Sequence, residues 1–161
     1  MQRHFNPDRL LRREQLLSAA INAVLSAAFF ALVFGIGDRA LTMAAPDSFA
    51  LDFLPQGAMV SLMASLVPAL AMRGRLRKSD FLRQGRDPSG GRIVAATAKG
   101  VLLGLSSGAL LFALARLGPL AHVPSYPALA FKILYGAGLG AVCTRLALTG
   151  LFEGVFRERT T

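Results

Sequence analysis

Three cations stand inside stretches of this sequence that are otherwise apolar: Lys99 in VAATAKGVLLG, Lys132 in ALAFKILYG and Arg145 in AVCTRLALT. A charged side chain at membrane depth is costly and rare, so each is a candidate for pairing, ligand binding or ion passage. All nine acidic residues lie in tails, loops or the ends of apolar runs, so a counter-charge has to come from elsewhere. Lys99 is seven residues past Arg92 and Arg145 six before Leu151. At helical rise each is about 10 Å from the end of its run, a distance that a snorkelling side chain spans. With Arg73, Arg75 and Arg92 they form a candidate site for an anionic lipid head group or a small anion. Lys132, five residues past Pro127, belongs to the opposite end, where Asp52 is its candidate partner and Gln56 a neighbour. Asn22 and Tyr135 are candidate hydrogen-bonding groups, although interhelical glue and interfacial packing are the commoner roles for these types.

Other chemistry is not spelled out. Cys143 is the single cysteine, no nucleophile has a base beside it, no glycine loop cradles a phosphate, and no span carries a carboxylate pair. His4 and His122 fall on opposite sides of the membrane in the topology derived below. No catalytic residue, cofactor or metal site is expected, and the chain does not read as an enzyme. The basic stretch 73–92 has only Phe81 as an aromatic, too few for stacking on single strands, so nucleic acid is not an expected partner.

The elements that carry the cations are four apolar runs. Residues 16–37, 53–72, 93–117 and 127–151 are each long enough to cross a hydrocarbon core of about 30 Å. In a chain of 161 residues, 53% are hydrophobic, against the ~45–50% apolar content of soluble domains even with glycine counted in. The fold class is therefore an all-α integral membrane protein: four transmembrane helices as two hairpins, both termini inside, in a compact bundle. Its segments are a basic cytoplasmic tail (1–15), a first transmembrane hairpin (16–72), a basic cytoplasmic connector (73–92), a second hairpin (93–152) and a cytoplasmic tail (153–161). Residues 8–15 read equally as a short interfacial helix or a solvated tail. The first run is a span rather than a signal peptide, because its apolar core exceeds the ~7–15 residues of a signal h-region and Asp38 and Arg39 separate it from Met43-Ala44-Ala45.

Orientation follows from charge. Thirteen Lys and Arg residues lie in the tails and the 73–92 connector, against Arg39 and Arg116 on the other side. That bias puts both termini in the cytoplasm and suggests a bacterial inner membrane. The acidic loop 38–52 ends in Phe49, Leu51, Phe53 and Leu54, which should dip into the interface before a helix starts near Pro55. Pro119, Pro124 and Pro127 should hold the other outer loop extended. Pro68 removes a backbone donor and frees the Ala64 carbonyl, which predicts a kink.

Small residues recur at every fourth position in each run: Ala19, Ala23, Ala27, Ala31 and Gly35; Gly57, Ser61, Ser65 and Ala69; Gly100, Gly104 and Gly108; Gly136, Gly140 and Thr144. Lipid tails are as apolar as leucine, so close packing along such rows is a main source of helix association. Intramolecular packing is the simpler expectation, and dimerisation through the row of residues 100–108 the functional alternative. The expected function is an accessory or scaffolding subunit, packed against other membrane helices and anionic lipid, as a homodimer or part of a larger complex. The alternative is an oligomeric transporter or channel protomer for an anion or small solute.

Overall fold

The computed structural model describes residues 7–78 and 90–157. Expectations for the extreme tails, for His4 and for the turn at Asp87 and Pro88 fall outside the described residues. Four long helices make up nearly all of it: α1 (Pro7–Phe34), α2 (Phe53–Lys78), α3 (Gly90–Leu117) and α4 (Ser125–Arg157), with two short strands, β1 (Ala40–Thr42) and β2 (His122–Pro124). Each helix is long and apolar enough to span a bilayer, with mean hydropathy from 1.3 to 2.2 over its best window. The helices outrun the apolar runs. α1 begins at Pro7, so residues 8–15 extend the first span as helix, α2 continues to Lys78, and α4 continues to Arg157. Hydropathy marks where lipid begins, whereas Arg, Lys, Leu, Glu and Gln beyond it remain good helix formers.

The packing is inverted relative to a soluble protein. On α1 the buried face is Ser18, Asn22, Ser26, Phe30 and Phe34, while Leu16, Leu17, Ile21, Val24, Phe29, Leu32 and Val33 face outward. The buried row thus runs one residue ahead of the expected alanine row. Ala19, Ala23, Ala27 and Ala31 flank it half-buried, and Gly35 lies beyond the helix with φ +75°, where it ends α1. The reason is polarity: a serine or asparagine hydroxyl or amide facing lipid has no partner, so these residues turn inward and alanine takes the flank.

The closest pairs are α2 with α3, which follow one another, and α1 with α4, the first and last helices. α1 lies antiparallel along α4 and α2 antiparallel along α3, while α2 and α4 touch at the centre and α1 and α2 barely meet. Small residues decide these pairs. A Cβ on Gly104 would collide with the Gly57 carbonyl and the Ser61 side chain, one on Gly108 would lie 2.5 Å from the Phe53 carbonyl oxygen, and one on Gly100 would strike Ser65. On the other pair, a Cβ on Gly136 would strike Ser26 and one on Gly140 would meet Asn22 at 2.6 Å. The row 100–108 is therefore filled by α2 of the same chain. Hydrogen bonds add to these contacts: Ser18 Oγ donates to the Gly140 carbonyl at 3.2 Å and Ser107 Oγ lies 2.9 Å from Tyr135 Oη. Each such bond between membrane helices contributes about 0.6 kcal/mol on average.

Pro68 sits inside α2, and the carbonyl it leaves without an intrahelical donor has found another. Thr144 Oγ1 of α4 donates to the Ala64 oxygen at 2.9 Å. A helix flaw created by one residue thereby becomes a tie between the two central helices.

The loops after α1 and after α3 join as a ribbon that the sequence did not announce. β1 and β2 pair antiparallel with Leu41 opposite Val123, and Met43 N–H donates to Ala121 O at 3.0 Å. Of the prolines expected to hold the second loop extended, Pro124 ends strand β2, whereas Pro127 lies in the first turn of α4.

Candidate functional site

The site forms where the ribbon closes over the helix ends. After Gly35 stops α1, Arg39 turns back and donates from Nη2 to the Phe34 carbonyl at 2.7 Å, while Nη1 reaches Asp47 Oδ1 at 3.1 Å. Asp47 Oδ2 accepts from the Thr42 amide at 2.9 Å and from the Thr42 hydroxyl at 3.1 Å. Its carboxyl is held below the ordinary 3.8, chiefly by the Thr42 amide, with the hydroxyl and Arg39 adding. Ser125, the first residue of α4, donates from N and from Oγ to the Arg39 carbonyl, both at 2.9 Å. Residues 38–52 are thus stitched down as a lid rather than left as a floating loop.

Beneath the lid is an aromatic cluster. Phe30 and Phe34 come one turn apart from α1, Phe49 from the lid and Phe53 from the first turn of α2, and Leu41 and Ala128 complete the buried core. Successive ring centroids lie 5.2 to 6.3 Å apart in tilted or edge-on arrangements, the favoured geometry for aromatic pairs.

Into this cluster α4 inserts Lys132. Its side chain is 2% exposed, and its ammonium lies 4.9 Å from the Phe53 centroid, 5.3 Å from Phe49 and 5.7 Å from Phe34. The carboxylate of Asp52 meets it as an ion pair and retains 31% exposure. The ammonium thus rests on the Asp52 carboxylate and on the faces of the three rings. Below, Gln56 Nε2 donates to the Lys132 carbonyl at 3.2 Å and to Ser26 Oγ at 3.0 Å. Asn22 Nδ2 then donates to Ser18 O at 2.8 Å, continuing a polar seam along α1 and α4.

The chain matches no protein-family model, no curated protein and no solved structure. Among the described residues no three His, Cys, Asp or Glu side chains converge as metal ligands would.

The cations singled out from sequence separate into two places. Lys132 pairs with Asp52 with Gln56 beside it, at the lid end. Lys99 on α3 and Arg145 on α4 are exposed on the bundle surface. They stand at one level, since Cys143 Sγ lies 3.8 Å from the Gly100 carbonyl oxygen. Arg73 and Arg92 are half-buried and engaged with neighbours, and the side chain of Arg75, on the last turns of α2, lies outside the described residues. Gly57, Ser61, Gly100, Gly104, Gly108, Gly136 and Gly140 are all buried at helix contacts. Asn22 serves the α1 seam, and Tyr135 bonds Ser107 and packs its ring edge-on to Phe53 at 5.9 Å.

Sequence reasoning missed the aromatic cage. A usable signal was present: the α1 row of Ser18, Asn22 and Ser26 continues at the same spacing into Phe30 and Phe34, and Phe49 and Phe53 repeat that four-residue step.

Proposed function

We propose that this is a multi-pass protein of the bacterial inner membrane, arranged as two connected hairpins with both termini and the 73–92 connector in the cytoplasm. It acts as an accessory or scaffolding subunit whose surface packs against other membrane helices and against anionic lipid. The observation that supports this reading best is where the polar groups go: Ser18, Asn22, Ser26, Ser61, Ser65, Thr144 and Lys132 are buried, whereas Lys99 and Arg145 stay exposed at one level of a largely apolar perimeter. A cation presented to lipid near the head-group boundary attracts anionic lipid, at about 1 kcal/mol per residue.

Native mass spectrometry after mild detergent extraction tests the lipid reading. Anionic phospholipid should remain on the wild-type chain and be lost from Lys99→Ala/Arg145→Ala, while neutral lipid is retained equally by both. Equal anionic retention would refute it. For topology, Ser89→Cys and Leu120→Cys should react with an impermeant maleimide from opposite sides of the membrane; reaction from one side would overturn the arrangement.

The buried charge of Lys132 favours a second reading, an oligomeric transporter or channel protomer for an anion or small solute. Anion flux in proteoliposomes that falls on Lys132→Ala would establish it, and flux equal to empty vesicles would remove it.

A further inference from the structure

The Lys132 ammonium is bound as an external cation would be bound. Three phenyl rings from three different segments, α1, the lid and α2, stand within 6 Å of it, and one carboxylate supplies the opposite charge. An ammonium prefers several hydrogen-bond acceptors, and a cage of aromatic faces with one acid is the arrangement by which proteins bind organic cations in place of water. The pair is also an unusual way to stabilise a fold, because an apolar residue of the same volume packs in such a place at no desolvation cost. Of these groups Phe49 and Asp52 are lid residues, and Asp52 is the partly exposed edge of the site.

We propose that the lid end is a recognition site for a slim primary alkylammonium, which Lys132 fills as a tethered occupant, and that a soluble ammonium entering beside Asp52 competes with it and releases the 38–52 lid. Lys132 presents an –NH3+ head on an unbranched stem to the rings and to Asp52, so a primary alkylammonium of that shape is the ligand that matches the site. The site is separate from the exposed Lys99 and Arg145 surface, so its failure would leave the lipid-binding reading standing.

The test uses the full chain in detergent or nanodiscs with Leu41→Cys as reporter, since Leu41 is a lid residue that is fully buried while the lid is closed. Labelling by an impermeant maleimide is read by peptide mass spectrometry, and Cys143, buried between α2 and α4, reports whether the bundle stays intact. With Lys132 present, n-propylammonium at tens of millimolar should raise Leu41→Cys labelling about threefold or more, the range set by millimolar effective concentrations of a tethered group. Sodium chloride at equal ionic strength should not. In a Lys132→Ala background n-propylammonium replaces the deleted side-chain atoms, so the sign reverses and labelling falls. An amine response no larger than that of sodium chloride in the Lys132 chain, or the same sign in both chains, overturns the proposal. Should Lys132→Ala fail to assemble, the comparison of amine with salt in the Lys132 chain decides alone.

Discussion

Replacing Thr144 by valine keeps shape and volume but deletes the hydroxyl that donates to the Ala64 carbonyl at 2.9 Å. That carbonyl has no donor within α2, because the residue four positions on is Pro68. With Thr144 fully buried, no water replaces the lost donor. An orphaned buried carbonyl costs about 1–3 kcal/mol, and measured hydrogen bonds between membrane helices reach about 1.7 kcal/mol. Thr144→Val should therefore destabilise the chain by about 1–2 kcal/mol. The reasoning makes a sharper demand in the Pro68→Ala background, where residue 68 regains an N–H that bonds Ala64 within the helix. There Thr144→Val should cost only a few tenths of a kcal/mol, so the two substitutions couple by about 1 kcal/mol. Steric-trap or mild-denaturant unfolding of the four chains in detergent measures the cycle. Additive effects would refute the idea that the proline and the threonine serve one carbonyl.

Asp52→Asn should be far more damaging than Lys132→Met, by about 3–5 kcal/mol against a smaller loss, because the first strands a buried cation and the second leaves a carboxylate that reaches solvent. The double substitution should recover most of the loss, as thermal unfolding in detergent would register. Gly104→Ala should destabilise by about 1–3 kcal/mol through overpacking against Gly57 and Ser61, whereas Gly138→Ala, which meets nothing within 4 Å, should be neutral or stabilising. Asp47, with its carboxyl held below 3.8, supports the lid above that pH, and the support is lost as pH falls from there through the lowered value. The protection factor of the Thr42 amide, its exchange relative to the intrinsic rate at each pH, should fall over that acidic range, and Asp47→Asn should leave protection low at every pH.

Much of this protein is set by its sequence. Four apolar runs, with no acid inside any of them, leave helices as the way for the backbone to satisfy its own hydrogen bonds. The rows at residues 57–69, 100–108 and 136–144 were visible because small side chains at a period of four share one helix face, and the pairing of Lys132 with Asp52 was legible because both stand at the same end of their runs. Periodicity identifies a face without naming the helix opposite it. That α1 lies on α4 rather than α2, that Thr144 answers the carbonyl freed by Pro68, and that β1 pairs with β2 across 80 residues of chain, were decided by which surfaces interlock in three dimensions. The aromatic cage belongs to the same class: Phe34, Phe49 and Phe53 surround one ammonium only after three segments have been brought together over the end of α4.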